Sequence, residues 1–306
     1  MLRYFIRRVL LAVPVLLGVA TLVFSLIHLV PGDPAQAMLG DGAAPQDVAE
    51  LRTSLGLDRP LLTQYVAFLR HAITGDLGKS FRTGQPVTTM IVERVPATAE
   101  LAFAAMFVAI VIAIPLGVVA AVWRGTAVDF GAMTFALAGV SIPNFWLGPI
   151  MAIVFAVKLG WLPVSGRGTA AHLVLPAISL GLALSAILAR MTRASLLDEL
   201  NELYVRAARA RGVSRTASIA SHALRNSLVP LLTIIALQFG AVLTGAVITE
   251  TIFAWPGIGR LLIQSIGFRD YPMVQGCILL IAVTYVTVNL VTDLMYGVLD
   301  PRIRYE

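Results

Sequence analysis

Six long apolar runs punctuate the chain, at about residues 9–30, 99–123, 130–157, 172–189, 227–249 and 274–299. Crossing a bilayer core takes about 20 apolar residues, so the pattern predicts six transmembrane helices with both chain ends on one side. The run from Phe130 is longer than a span needs, which predicts a tilt or an interfacial turn. A polar stretch separates the first two runs. It opens with Pro31-Gly32-Asp33-Pro34, a helix stop. Within it, residues 47–55 and 61–73 carry apolar side chains at helical spacing, as in Leu61, Leu62, Tyr65, Val66 and Leu69. The expected organisation is a first span over 1–30, an external lobe over 31–98, and a core over 99–306 holding five spans and a polar loop, 190–226.

Composition fits that pattern. Of the 306 residues, 58% are hydrophobic and 13% charged, and mean hydropathy is +0.85. Soluble domains carry about 25% charged residues, so the class is all-α membrane protein. The formal charge of +6 reports loop topology before it reports nucleic acid. Arg3, Arg7, Arg8, Arg124, the arginines of 190–226, Arg302 and Arg304 would share one side. The short loops opposite hold only Lys158 and Arg167, then Arg260 and Arg269. This places both termini and the basic loop in the cytoplasm. A cleavable signal peptide is the competing reading of the N-terminus, and Ala35-Gln36-Ala37 resembles a cleavage site. The apolar run exceeds the 7–15 residues of a signal core, so a retained span is expected. Cys277, the single cysteine, lies in an apolar run, which excludes a disulfide framework.

The most basic segment lies between the fourth and fifth runs. Ser195 reads as a helix cap, with Asp198 and Glu199 in the first turn. Leu196, Leu200, Leu203, Tyr204 and Ala207 share a face. Arg209 and Arg211 suit a last turn, and Gly212 a left-handed stop. Ser214 then caps a second short helix ending near Leu224. The expected unit is helix–glycine–helix tied at both ends to spans. A lipid-headgroup patch and a plain solvated loop are the alternatives. A DNA-reading helix-turn-helix fits poorly, because both ends run into the membrane.

Catalytic patterns are missing. Gly75-Asp76-Leu77-Gly78-Lys79-Ser80 ends like a P-loop, but the first glycine that motif requires would fall at Ile73. His28, His71, His172 and His222 show no metal-ligand spacing, and no His-Glu-x-x-His or Gly-x-Ser-x-Gly occurs. Polar residues inside the spans are the candidates for a path or gate. Asn144, after a kinking Pro143, faces a pathway or bonds a neighbouring helix. Gln238 contacts substrate or joins helices. Asn289 and Asp293 lie one turn apart, either on the path or structural. Glu250 and Trp255 mark a gate or an aromatic anchor, followed by an amphipathic helix over 258–266. Gly240 and Gly245 offer small surfaces for close helix approach.

Ala207-Ala208, three residues, then Gly212 is similar to the "EAA" loop of permease subunits in binding-protein-dependent ABC importers. More closely, the chain resembles the dipeptide/oligopeptide/nickel branch. The resemblance spans Pro31-Gly32-Asp33-Pro34, Leu55-Gly56-Leu57-Asp58-Arg59-Pro60, Gly75-Asp76-Leu77-Gly78, the segment from Arg206 to Gly212, His222-Ala223-Leu224-Arg225-Asn226, the segment from Glu250 to Gly259, and Asp300-Pro301-Arg302-Ile303-Arg304. Two departures from the general loop stand out. Arg206 replaces its glutamate, and His222-Ala223-Leu224-Arg225 replaces Ile-x-Leu-Pro.

The resemblance implies a type I ABC importer permease with a cytoplasmic coupling helix, in the bacterial inner membrane. It implies a second homologous permease, two cytoplasmic ATPase subunits, and an external substrate-binding protein. No cofactor would be bound directly; ATP and Mg would be used by the partners. Tyr204, Arg206, Ala207, Ala208, Arg209, Arg211, Gly212 and Ser214 would carry coupling to the ATPases. The implied cargo is di- or oligopeptide, with nickel, glutathione or another small solute as the same-scaffold alternative. A stand-alone channel, or an intramembrane enzyme, is the rival of a different class.

Overall fold

The computed structural model describes residues 2–29, 33–39, 42–54 and 56–299. Pro31, Gly32, Leu55 and the closing 300–304 motif lie outside the described residues. In chain order the helices are α1 (Leu2–Leu29), α2 (Pro34–Leu39), α3 (Pro45–Ser54), α4 (Leu61–Thr74), α5 (Val87–Val122), α6 (Ala127–Ser141), α7 (Asn144–Met151) and α8 (Ala170–Leu200). They continue with α9 (Leu203–Ala210), α10 (Arg215–Ser218), α11 (Leu224–Gly245), α12 (Val247–Ile252), α13 (Ile258–Gly267) and α14 (Tyr271–Leu299). Wider π-type turns occupy Ala152–Lys158 and Ile219–Ala223.

Among the described residues four helices are long and apolar enough to cross a membrane: Ile6–Leu29, Val87–Val122, Ala170–Leu200 and Tyr271–Asp293. The total is six if each of two bent pairs forms one span. One pair, Ala127–Gly139 with Asn144–Lys158, bends by 93°; the other, Arg215–Leu228 with Pro230–Leu243, by 49°. The first bend is the turn expected of the over-long third run. Ile142 precedes a proline and is extended (ψ 115°), as the ring of Pro143 demands. The Pro143 carbonyl then accepts from Trp146 N at 2.9 Å and starts the second limb. The second span begins at Val87, earlier than the apolar run suggested: the helix starts in a polar segment and runs on through Pro96.

The chain forms two compact units. The first comprises residues 1–98 and 256–287. Its core gathers Val87, Ile91, Ile258, Leu261, Met273 and Cys277. Asp270 receives Ser80 Oγ and the Phe81 amide, which fixes the loop before α5. The Ile258 amide donates to Thr98 Oγ1 at 2.9 Å. The amphipathic segment expected over 258–266 is α13.

The second unit comprises residues 99–255 and 288–306. α8 runs through it, with α6, α7 and α11 against it. Its core joins Met106, Ala109, Ala113, Ala136, Ala186, Leu188, Ala189 and Leu231. These are mostly small residues, and small residues let helices approach closely where lipid supplies no hydrophobic drive. Gly240 behaves as expected of a close contact: a Cβ there would stand 2.8 Å from Val288 Cγ1. The matching expectation for Gly245 lies outside the described side chains.

Candidate functional site

The basic segment is a helix–glycine–helix, but its limits differ from the sequence expectation. Ser195 does not start a helix. It sits inside α8, which runs to Leu200 because nothing between Ala189 and Leu200 breaks it. Asn201 and Glu202 then turn the chain, and α9 starts at Leu203. Gly212 holds φ at +88°, where an L side chain is strained, and its amide donates to Arg209 O at 3.0 Å. Ser214 caps α10 by accepting from Ala217 N. The second helix does not end near Leu224. α10 passes through the π-type turn 219–223 into α11, so the segment is continuous with the helix that follows.

α9 has two faces. Val205 and Ala208 are buried, each at 1% exposure, and Val205 joins a cluster with Ala121, Leu196 and Ala223 that Tyr204 and Ile219 flank. Ala208 is therefore an internal packing residue. The outward stripe is Leu203, Arg206, Ala207 and Ala210, at i, i+3, i+4 and i+7. Leu203 is 78% exposed, an uncovered leucine on a short helix edged by arginines. Arg209, Arg211 and Ser214 are exposed as well.

Three polar ties hold this segment to the helices around it. The Tyr204 hydroxyl donates to the Glu199 carboxylate near the end of α8 and accepts from Asn226 Nδ2 at 2.9 Å, near the start of α11. Burial first, and then Glu199, raise the Tyr204 pKa above the ordinary tyrosine range, so the phenol keeps its proton. Arg215 Nη2 reaches Val122 O at 3.1 Å, placing a cation on the C-terminal carbonyl of α5. Arg193, on α8, makes a two-pronged bond to Asp129 at the start of α6, both arms 2.7 Å. Asp129 also accepts from Gly125 N at 2.9 Å. Sequence reasoning missed Asp129 and the Arg215 contact, and placed Glu199 in a first helical turn rather than on Tyr204. An acidic residue in a first helical turn was the available signal for Asp129.

The span candidates fall in different settings. Asn144 opens α7, and its Oδ1 is buried without a partner among the described residues. Gln238 lies within α11, with both amide atoms buried and likewise unpartnered. Glu250 and Trp255 are both fully buried, and the Trp255 amide donates to Glu250 O at 2.8 Å. Arg167 lies 5.8 Å from the Trp255 ring, and Gly166 N donates to Phe253 O at 2.8 Å. This corner thus seats the 159–169 loop, and the tryptophan faces protein. Asn289 and Asp293 sit half-buried on one face of α14. Among the described residues no cluster of histidine, cysteine or acidic side chains has a metal-binding arrangement.

Comparison with known proteins covers the whole chain. The family model "Binding-protein-dependent transport system inner membrane component" matches residues 113–305, and its N-terminal companion matches residues 1–102. A dipeptide transport system permease protein of Alkalihalophilus pseudofirmus is 43% identical, with all of both chains covered. A glutathione transport system permease protein of Escherichia coli K12 is also 43% identical, again over all of both chains. Among solved structures, a chain of the methionine ABC transporter MetNI in an inward-facing form aligns with a TM-score of 0.58 at 21% identity. That alignment covers 69% of this chain and 96% of the other. An amino acid ABC transporter solved with histidines aligns at 0.52 and 16% identity, over 70% and 94%. These two similarities concern the fold.

Proposed function

The chain belongs to the family of inner membrane components of binding-protein-dependent transport systems, and on that premise we propose that it helps line the path of an ATP-driven importer of di- or oligopeptides. It is a permease subunit of the ABC importer type and a multi-pass inner membrane protein. The full-length identity to a dipeptide permease carries the cargo reading. Glutathione is the second reading, favoured by an equal identity to a glutathione permease. Both cargoes are peptides, so an amide-recognising path serves either.

In this reading α9 is the coupling helix. Its exposed stripe of Leu203, Arg206, Ala207 and Ala210 enters a groove on a cytoplasmic ATPase subunit, with Arg209 and Arg211 at the edge. Tyr204, Gly212 and Ser214 set the shape of the lever, and Ala208 packs it against its own chain. A second homologous permease completes the path, two ATPase chains hydrolyse ATP with Mg, and an external binding protein delivers cargo. Both termini lie in the cytoplasm. Residues 31–98 form an external lobe. Asn144, Gln238, Asn289 and Asp293 are the path candidates, and Glu250 with Trp255 shapes the outer gate by holding the 159–169 loop.

Co-purification in mild detergent tests the assembly, and uptake of labelled dipeptide and of glutathione into proteoliposomes tests the cargo. Recovery with two ATPase chains and a second permease, and ATP-dependent dipeptide uptake, are expected. Conduction by the chain alone would overturn the proposal; ATP-dependent uptake of glutathione only would replace the first cargo with the second.

A further inference from the structure

Helix α4 is amphipathic, yet none of its residues is buried. One side is engaged with α1. The hydroxyls of Tyr65 and Thr21 lie 2.7 Å apart, Gln64 Oε1 lies 3.2 Å from His28 Nε2, and the Phe24 ring packs on Tyr65 and Phe68 at 5.3 and 5.7 Å. A second stripe points elsewhere. Leu62, Val66, Leu69 and Ile73 recur at i, i+4, i+7 and i+11, and Ile73 is 85% exposed. A helix of this length does not hold together in water on propensity alone and draws its stability from a covered apolar face.

The contacts with α1 set its depth. Thr21, Phe24 and His28 all lie inside the membrane-crossing stretch Ile6–Leu29. A helix pinned beside them lies level with the last two turns of that span. The adjoining turns of α1 expose Leu22, Leu26 and Leu29, apolar side chains suited to lipid at the same depth.

Charge narrows the occupant. A groove of about 890 Å³ runs along α4, lined by the apolar Leu62, Val66 and Ala67, by two threonines and by Arg59, Arg70 and His71. Asp76 also lines it, and is engaged with His71 at 3.2 Å. Two exposed arginines beside apolar side chains, at the depth of a span end, match a phosphate headgroup with its acyl chain. We propose that this groove binds an anionic phospholipid of the bilayer and beds α4 in the membrane interface. The inference rests on the membrane placement of α1 and is independent of the cargo.

Quenching by brominated lipid tests it on the full chain in nanodiscs. A Leu62→Cys variant, labelled at the groove, carries a fluorophore; Cys277 is buried and does not compete for label. Brominated phosphatidylglycerol is expected to quench the label at lower mole fraction than brominated phosphatidylcholine. Arg59→Gln with Arg70→Gln should weaken that preference about thirtyfold, at about 1 kcal/mol per arginine. A label at Gln46→Cys, exposed on α3, should show no preference. Equal quenching by both lipids, or an equal preference at Gln46→Cys, would overturn the proposal. So would relief of quenching by a binding protein or second permease at constant lipid, since a protein would then occupy the groove.

Discussion

Tyr204 and Asn226 are joined by a 2.9 Å hydrogen bond across 22 residues of chain. With Glu199 as its second partner, the phenol ties the end of α8 to the start of α11 through the first turn of α9. Motion imposed on α9 therefore reaches two helices together. Tyr204→Phe keeps the ring and removes both bonds. The expected result is normal assembly with more ATP hydrolysed per molecule imported, and about 1–2 kcal/mol lost from stability. A double-mutant cycle with Asn226→Ala should be non-additive. Unchanged coupling in reconstituted vesicles would remove Tyr204 from the lever.

Gly212 separates α9 from α10 at a φ that proline cannot take and alanine takes only under strain. Gly212→Ala should cost about 1–2 kcal/mol in thermal unfolding and leave transport in place. Gly212→Pro should insert and assemble but lose coupling between ATP hydrolysis and uptake, because the turn cannot form. Equal coupling in the two variants would count against a lever that pivots at this turn.

Ala207 and Ala208 are adjacent in sequence and opposite in role. Ala207 is exposed and Ala208 buried. Ala207→Leu should leave the permease stable and weaken co-purification of the ATPase chains. Ala208→Leu should overpack the buried face of α9 and destabilise the chain by about 1–3 kcal/mol. Detergent melting and pull-down yield, measured on both variants, separate the two faces; matching behaviour would contradict this division.

Asp129 and Arg193 form a mostly buried, two-armed ion pair between α6 and α8. Removing one partner strands the other charge. Asp129→Ala should cost about 2–3 kcal/mol in a melting experiment, because Arg193 keeps 28% of its side chain exposed. Arg193→Lys should also lose stability, because an ammonium cannot reproduce the planar fork. A loss under 1 kcal/mol, the range of a solvated pair, would show water entering the site.

The apolar runs made the all-helical membrane fold legible, because span length and charge bias are properties of composition along the chain. The break at Pro143 and the stop at Gly212 were legible for the same local reason: each residue restricts its own backbone. The start of the basic helix was misplaced. Ser195 resembles a cap, but a cap acts only where the helix ends, and packing of Leu196 and Leu200 carries α8 past it. The inward turn of Ala208 and the partners of Asp129, Glu199 and Arg215 were illegible, since they depend on which neighbours tertiary packing brings near; for Asp129 only its first-turn position was on view.

Gln238 carries the last prediction. Both atoms of its amide are buried and have no partner among the described residues. An unmade hydrogen bond of this kind costs about 1–3 kcal/mol, so the side chain weakens the conformation it is found in. Gln238→Met keeps the volume and removes the orphaned groups. The variant should melt higher by up to that amount. If the amide meets peptide groups when the helices rearrange, uptake should fall in the same variant, because the stabilised conformation leaves less readily and the path loses a donor and an acceptor. Uptake equal to the parent alongside higher stability would make Gln238 a packing residue and leave Asn144, whose Oδ1 is similarly orphaned, as the better path candidate.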